Sequence, residues 1–222
     1  ISLVKKGMKV EAIIDIREKS NSSIINEAIS YGIKIYWSHT VIDTYGYRRL
    51  KKISIMQLSK DCQSTIGSKV DIDCDCLGIS GGWTPAVHLF TQSGGKLKFR
   101  EKDQVFIPNK YPSKQISIGS CNGDFELEEI IKNSSKSIKD FLKIDKTDYE
   151  NLTIVNSKEI DKKNIWLLPS DKVIGKTKPF VDYQNDATAK DIKLALREGF
   201  RSIEHVKRYT TTGMGTDQGK LG

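Results

Sequence analysis

Two cations and three hydroxyls lie close together near the end of the chain, in the run KRYTTTGMG. Lys207 and Arg208 fall at the end of a predicted helix, and Thr210, Thr211 and Thr212 follow. Cations and hydroxyls beside glycines can bind an anion such as a phosphate group through charge-assisted hydrogen bonds. The same residues can instead end a helix and compensate its dipole. The sequence supports both interpretations.

An acidic residue, Asp15, ends the strand pattern KVEAIIDIRE. The segments SSIINEAISYG and IKIYW predict a helix with serine caps and a closing glycine, followed by a second strand. In such β-α-β units a carboxylate at this place can bind the ribose of a dinucleotide. The glycine-rich turn that accompanies it about 20 residues earlier would precede residue 1. A solvated strand end explains Asp15 equally well.

A second candidate turn lies in the run GSCNGDFEL, between the short predicted strand KQISI and a long predicted helix. Gly123 and Asp124 are close to the predicted helix start, where free backbone N–H groups favour a phosphate or a ribose hydroxyl. Cys121 in the same turn has no partner cysteine nearby in sequence. A small buried residue is therefore a better interpretation of Cys121 than a redox thiol.

The segments between these two sites predict further β-structure. TVIDTYG and RLKKISIMQL flank the turn YGYRR and predict a hairpin or meander. VDIDCDCLGIS predicts a strand that continues to Gly81-Gly82, with Cys74 and Cys76 inside it. Because no second Cys or His pair is near, this C-x-C is not interpreted as a zinc site.

Composition excludes several classes of function. The net charge is +8, but the basic residues are spread along the chain and 29 of the 36 are lysine, which suits a solvated surface better than nucleic-acid binding. No apolar run reaches the roughly 20 residues of a membrane span. Four cysteines without a signal-peptide pattern predict a reducing, cytoplasmic location. The start at Ile1 suggests a fragment of a longer chain.

The three histidines give no sign of a catalytic base. A nucleophile–base pair would need a positioned Ser or Cys beside His39, His88 or His205, and no such signature is present. We predict no catalytic residue in this chain.

The order of these elements resembles the second half of the two-dinucleotide, disulfide-reductase-like flavoprotein family. The resemblance implies an α/β fold, with residues 1–144 as part of a Rossmann-type, pyridine-nucleotide-binding region. It also makes Ser120, Phe125 and Leu127 candidate contacts beside the reactive half of a dinucleotide. Ordinary helix-to-sheet packing is the alternative for these three residues.

Residues 179–222 resemble the small all-helical module that carries a two-iron two-sulfur cluster in bacterioferritin-associated-ferredoxin-like domains. Two short helices, DIKLALREG and SIEHVKRYT, carry the resemblance, and Asn185, Asp186 and Thr188 form a capping cluster before the first. The four cluster-ligand positions of that family fall on Asp182, Gln184, Asp217 and Gly222. Since the ligands of such clusters are cysteine thiolates, we expect the scaffold without its metal.

The runs GISGGWTPAVHLFTQSGGKLKF, GSCNGDF and FVDYQNDATAKDIKLALREGFRSIEHVKRYTTTGMGTDQGK together resemble the alpha subunit of heterotetrameric sarcosine oxidase. Residues 145–178, a predicted linker or interface segment, match least well. The resemblance implies NAD+ contacts in this subunit, an FMN site at a subunit interface and FAD in a beta-type partner. It also implies gamma and delta partners and tetrahydrofolate in a further carboxyl-terminal domain.

The activity that the resemblance implies is the oxidative demethylation of sarcosine, with the chain as one part of the assembly. The resemblance also suggests that the old cluster module survives as structure at the interface where a flavin carries electrons. Two alternatives stay open: an alpha-like subunit of another amine or opine oxidase, and a non-catalytic scaffold that has lost its cofactor.

Overall fold

The computed structural model describes residues 1–112, 114–144, 165–169 and 178–219. The chain divides into two compact units, one of residues 1–76 and 165–222 and the other of residues 77–164. Most of the predicted linker 145–178 lies outside the described residues, and the three predicted domain boundaries stay predictions.

The first unit opens with a short helix, α1 (Ser2–Lys5), and the predicted β-α-β arrangement. Strands β1 (Ala12–Asp15) and β2 (Lys34–Trp37) pair in parallel, and α2 (Ser23–Ser30) connects them. The hydroxyl oxygen of Ser22 accepts a hydrogen bond from the backbone N–H of Ile25, which caps α2 as the serine pattern predicted. This part of the α/β prediction is confirmed.

A three-stranded antiparallel meander follows, with β4 (Lys52–Leu58) between β3 (His39–Tyr45) and β5 (Thr65–Asp73). The central strand supplies the core, because Ile53, Ile55 and Leu58 are all buried there. The meander confirms the prediction from the two runs around YGYRR.

Strand β5 ends at Asp73, well before the glycine pair at which we expected it to break. The reason lies in its partner: Asp73 pairs with Lys52, the first residue of β4, so the ladder has no further neighbour to use. Cys74 donates one more backbone bond to Lys51 and the chain then leaves the sheet. Cys74 and Cys76 therefore lie beyond the strand, and the prediction that placed them inside it was wrong.

The second unit contains α3 (His88–Gln92), an antiparallel hairpin and a long helix, α4 (Leu127–Leu142). The hairpin pairs β6 (Lys96–Arg100) with β7 (Val105–Lys110). The predicted short strand KQISI is absent, and a 3₁₀ turn (Gly119–Asn122) follows it instead. Among the described residues no strand lies beside KQISI to complete a ladder, since β6 and β7 pair only with each other.

The tail contains the two predicted helices, α5 (Ala189–Arg197) and α6 (Ile203–Thr210). A small antiparallel ribbon precedes them, formed by β8 (Phe180–Asp182) and β9 (Ala187–Thr188). The sequence predicts a purely helical tail, whereas the structure adds this ribbon before the helices. Thr188 both ends the ribbon and begins α5, since the Asp191 carboxylate accepts bonds from its backbone N–H and its hydroxyl. Within the part of the chain that is described, no helix is both long and apolar enough to cross a bilayer.

The meander core provides a direct test of the fold. Replacing Ile55, which is completely buried, with Ala should cost about 2–5 kcal/mol of unfolding free energy, because it removes buried methyl groups and leaves a cavity. The matched change Ile66→Ala on the neighbouring strand, where the side chain is 45% exposed, should cost about 1 kcal/mol or less. Urea denaturation followed by circular dichroism measures both, and equal losses would contradict the arrangement of the strands.

Candidate functional site

Among the residues that the structure describes, the carboxylate of Asp15 accepts hydrogen bonds from one neighbour, Arg17. The Arg17 guanidinium donates from Nε at 2.9 Å to Oδ1 and from Nη2 at 2.6 Å to Oδ2, and its backbone N–H donates to Oδ1 at 2.9 Å. A further Nε contact reaches Oδ2 at 3.2 Å. An ionised carboxylate has about four acceptor positions, and the three N–H groups of Arg17 engage most of them.

This pairing also sets the ionisation of the site. Burial alone would raise the pKa of Asp15, but the hydrogen bonds and charge of Arg17 outweigh it and lower the pKa below its ordinary value. The Arg17 carbonyl oxygen accepts the backbone N–H of Ser38 at 2.9 Å, so the edge is tied to the chain just beyond β2. The structure places Asp15 at a strand end as predicted, but most of its acceptor positions are engaged by Arg17.

The run GSCNGDFEL forms a closed turn. The backbone N–H of Gly123 donates to the Ser120 carbonyl at 3.0 Å, and that of Asp124 donates to the Gly119 carbonyl at 3.2 Å. The N–H groups that we expected to be free at Gly123 and Asp124 are therefore used within the turn. The prediction failed because α4 begins only at Leu127, after the 3₁₀ turn has closed.

The first turn of α4 is a poor place for an anion. Glu128 and Glu129 lie in that turn, and their charges occupy the positive end of the helix dipole. Of the remaining predicted contacts, Ser120 and Leu127 are exposed and Phe125 is half-buried. Exposed side chains are available to a ligand, whereas the buried carboxylate of Asp124 accepts from Asn133 on α4 at 3.2 Å.

The structure adds one residue that the sequence did not indicate. Arg100, at the end of β6, donates from Nη2 to the Gly123 carbonyl at 2.6 Å, and its guanidinium also forks onto Asp103. The contact spans 23 residues of sequence, so no local pattern could have shown it.

In the tail, Asp182 is the residue around which the loops are arranged. Its side chain is 1% exposed, and its Oδ1 accepts the backbone N–H groups of Gln184 at 2.8 Å and Asn185 at 3.1 Å. Oδ2 accepts the backbone N–H of Gly213 at 2.7 Å and the Asn185 amide at 3.3 Å. The bond to Gly213 joins positions 31 residues apart.

Gln184 makes the second link between the same two loops. Its Oε1 accepts the backbone N–H of Asp217 at 3.2 Å, and its Nε2 donates to the Thr216 hydroxyl at 3.0 Å. A side chain added at Gly215 would run into the Gln184 amide, so the glycine makes room for it. Three of the four positions that the resemblance predicts as equivalents of cluster ligands are thus part of a hydrogen-bond network.

This network does not fit an iron–sulfur cluster. The positions Asp182, Gln184 and Asp217 offer carboxylate and amide groups where thiolates are required, and Gly222 lies outside the described residues. The Asp182 oxygens are already filled by N–H donors. Within the described ranges, no group of three His, Cys, Asp or Glu residues is placed to hold a metal ion.

The cations near the end of α6 differ from the hydroxyls beside them. Lys207 and Arg208 are exposed, and among the described residues neither has an ion-pair partner. Thr210 is buried and its hydroxyl donates to the Val206 carbonyl at 2.8 Å, and the Thr211 hydroxyl donates to the Thr210 carbonyl at 2.6 Å. The cations are available for an anion, whereas these two hydroxyl protons are committed to the backbone.

The tail matches a known protein family, and the chain as a whole is similar to known proteins. Residues 176–222 match the family described as the sarcosine oxidase A3 domain. The chain is 29% identical over 220 residues to sarcosine oxidase subunit alpha of Corynebacterium sp. (strain P-1), which covers 95% of this chain. It is 27% identical over 232 residues to sarcosine oxidase subunit alpha of Rhizobium meliloti (strain 1021), covering 97%. The resemblance to sarcosine oxidase alpha subunits is confirmed.

The same comparisons limit what the chain represents. It spans 22% of the Corynebacterium subunit and 20% of the Rhizobium subunit. Among solved structures, L-proline dehydrogenase from P. horikoshii superposes with a TM-score of 0.52 at 18% identity, covering 94% of this chain and 41% of that one. At that identity the likeness concerns the fold, and it confirms the α/β class.

The Asp182 network predicts that two hydrogen-bond-accepting oxygens are needed at this position, and that a side chain of the same shape with only one will not replace it. In Asp182→Asn one oxygen becomes an NH₂ group that faces N–H donors, so the Gly213 amide should exchange its hydrogen on the order of tenfold faster. Asp186→Asn, in the exposed turn nearby, is the control and should leave the rate unchanged. Hydrogen exchange measured by NMR on the 222-residue chain reads out both.

The pH dependence follows from the same contacts. Bonds from the backbone of Gly213 and Asn185 lower the pKa of Asp182 below its ordinary value of 3.8. A lowered pKa stabilises the tail above the unfolded-state value of about 3.9, and this contribution is lost as the pH falls through the folded-state pKa. Protection of the Gly213 amide should therefore be constant down to about pH 4 and weaken progressively as the pH falls further, through the folded-state pKa. Protection in wild-type protein that weakens already well above pH 4, beyond the intrinsic change in exchange rate, would contradict the assignment.

A separate prediction concerns metal. Protein purified anaerobically from iron-supplemented cells should contain no stoichiometric iron or labile sulfide, because the ligand positions lack thiolates. Colorimetric iron and sulfide assays test this, with a known ferredoxin purified in parallel as the positive control. One or two equivalents of both elements per chain would overturn the prediction.

Proposed function

We propose that this chain is part of the alpha-type subunit of a sarcosine oxidase. The observation that carries the proposal is similarity along 95% of the chain to subunits of that name, together with the match of residues 176–222 to the A3 domain. The whole enzyme would oxidise sarcosine to glycine, releasing hydrogen peroxide and forming 5,10-methylenetetrahydrofolate. It is a flavin-dependent oxidoreductase composed of alpha, beta, gamma and delta subunits.

In this proposal the chain binds and positions cofactors rather than reacting with the amine. FAD lies in the beta-type subunit and oxidises the substrate there, and tetrahydrofolate binds a further domain of the alpha subunit. We propose no catalytic residue among the described side chains.

Two stretches are the proposed contacts for NAD+, each considered within its own unit. The Asp15 carboxylate would accept a hydrogen bond from a ribose hydroxyl at an acceptor position that the three N–H groups of Arg17 leave open. The exposed Ser120 and Leu127, with Phe125, would line the other contact beside the reactive half of the dinucleotide, and Gly123 and Asp124 would shape the turn that presents them. When bound, NAD+ would supply hydride-transfer chemistry, and these side chains would bind and orient it.

The end of α6 is the proposed FMN contact at a subunit interface. Lys207 and Arg208 are the donors, because they are exposed and carry no partner among the described side chains. Thr210 and Thr211 would contribute by fixing the shape of the helix end. The left-handed backbone of Thr211, at φ 59°, turns the chain into the glycine loop that follows.

The proposal is tested on the complete alpha subunit co-expressed with its neighbouring subunits. Visible absorbance, sarcosine-dependent peroxide release and mass spectrometry of the extracted small molecules give the reaction and the cofactor set. A complex that contains flavin but oxidises a different secondary amine would redirect the assignment to another amine or opine oxidase. A complex without any flavin would leave a scaffold role.

The role of the α6 cations has its own expected result. Lys207→Ala/Arg208→Ala should reduce FMN binding more than tenfold while FAD content stays constant, since charge-assisted bonds contribute about 1.5–3 kcal/mol each. Lys190→Ala/Lys193→Ala removes two exposed charges from α5 and is the matched control. Flavin extraction and chromatography give the FMN-to-FAD ratio. If the ratio is equal in both double mutants and wild type, the α6 cations serve only to compensate the helix dipole.

A further inference from the structure

Arg100, the last residue of β6, forms a hydrogen bond to the Gly119–Asp124 turn. Its Nη2 donates to the Gly123 carbonyl at 2.6 Å, and the same guanidinium is held by Asp103, with Nε at 2.7 Å from Oδ1 and Nη2 bonded to Oδ2. The Asp103 carboxylate is the first cause of the raised pKa of Arg100, so the guanidinium stays charged. Because two nitrogens of the planar guanidinium are bonded to Asp103, its orientation is fixed, and so is the direction in which it donates to the Gly123 carbonyl.

Gly123 shows how closely this contact fits. The residue is buried and has φ 86°, a conformation that side chains rarely adopt. A Cβ at this position would lie 2.8 Å from Arg100 Nη2 and 2.8 Å from Ile107 Cγ2. The side chains of Arg100 on β6 and Ile107 on β7 therefore lie so close to Gly123 that a residue with a Cβ would collide with them.

Two side chains from neighbouring elements hold the turn. Its own N–H groups at Gly123 and Asp124 close the 3₁₀ turn, so they give no link to the rest of the unit. The Asn133 amide of α4 donates to Asp124 at 3.2 Å, and Arg100 of β6 donates to the Gly123 carbonyl at 2.6 Å. Removing the Arg100 link leaves the Gly123 carbonyl without this donor and loosens the turn.

We propose that Arg100 is a positioning residue that sets the orientation of the Gly119–Asp124 turn and thereby the affinity for a dinucleotide. Arg100 acts through the Gly123 carbonyl and does not touch the ligand. The inference rests on the proposed function, because the ligand of this turn is the NAD+ assigned there. Peptide carbonyls and exposed side chains of a turn contact a ligand well only when the backbone is held in one orientation.

The experiment uses the complete alpha subunit in its co-expressed complex. Arg100→Gln removes the charge and the fork, Arg100→Lys keeps one charged donor that can reach the Gly123 carbonyl, and Arg197→Gln removes an exposed arginine as control. NAD+ affinity is measured by titration calorimetry on complex stripped of nucleotide, well below the melting temperature. Hydrogen exchange of peptides covering residues 119–124 is measured by mass spectrometry on the same samples.

We expect Arg100→Gln to weaken NAD+ binding by about tenfold or more and to speed exchange in the turn. Arg100→Lys should recover part of the affinity, and Arg197→Gln should match wild type. If Arg100→Gln lowers only the melting temperature and leaves affinity and turn exchange unchanged, the residue is merely structural and the proposal fails. If the wild-type complex does not bind NAD+, the assigned ligand is wrong and both proposals fail together, whereas normal wild-type binding with an unaffected Arg100→Gln overturns this one alone.

Discussion

A carboxylate removed from water must have its oxygens satisfied by N–H donors, and this requirement fixes the loops that carry the candidate functional residues. Asp182 collects donors from two segments of the tail, Asp15 collects donors from Arg17, and Asp103 accepts hydrogen bonds from Arg100. In each case the donor is itself attached to a loop, so satisfying the carboxylate also positions that loop. The positions of the candidate sites therefore depend on hydrogen bonds to buried carboxylates as well as on apolar packing.

The tail shows how hydrogen bonds alone can join two loops. Loops that carry buried polar backbone groups need partners to hold them in place. Here Asp182 reaches Gly213 and Gln184 reaches Asp217, so hydrogen bonds connect the loop before α5 with the loop after α6. The two loops at the ends of the α5–α6 pair are therefore tied to each other by the protein's own side chains.

The sequence predicted the elements whose signals are local. The serine cap of α2, the alternation in the meander and the helical periods of α5 and α6 all depend on neighbours within a few residues, and all are present. The misplaced features depend on distant partners. Strand β5 ends where β4 begins, and the N–H of Asp124 is consumed by Gly119. Arg100 carried no signal, since its role appears only when β6 and the turn meet.

The arginines and lysines of a chain with net charge +8 are not equivalent, and their partners separate them. Arg17 and Arg100 fork onto carboxylates, so their charge is cancelled nearby and their geometry is fixed. Lys207 and Arg208 are exposed at a helix end without a described counter-ion, so their charge is available to an external anion. An exposed pair gains more from a phosphate than a forked arginine can, because the forked arginine must first break bonds to Asp. The paired arginines therefore hold the protein's own loops, whereas Lys207 and Arg208, which lack an ion-pair partner among the described residues, remain accessible to an external anion.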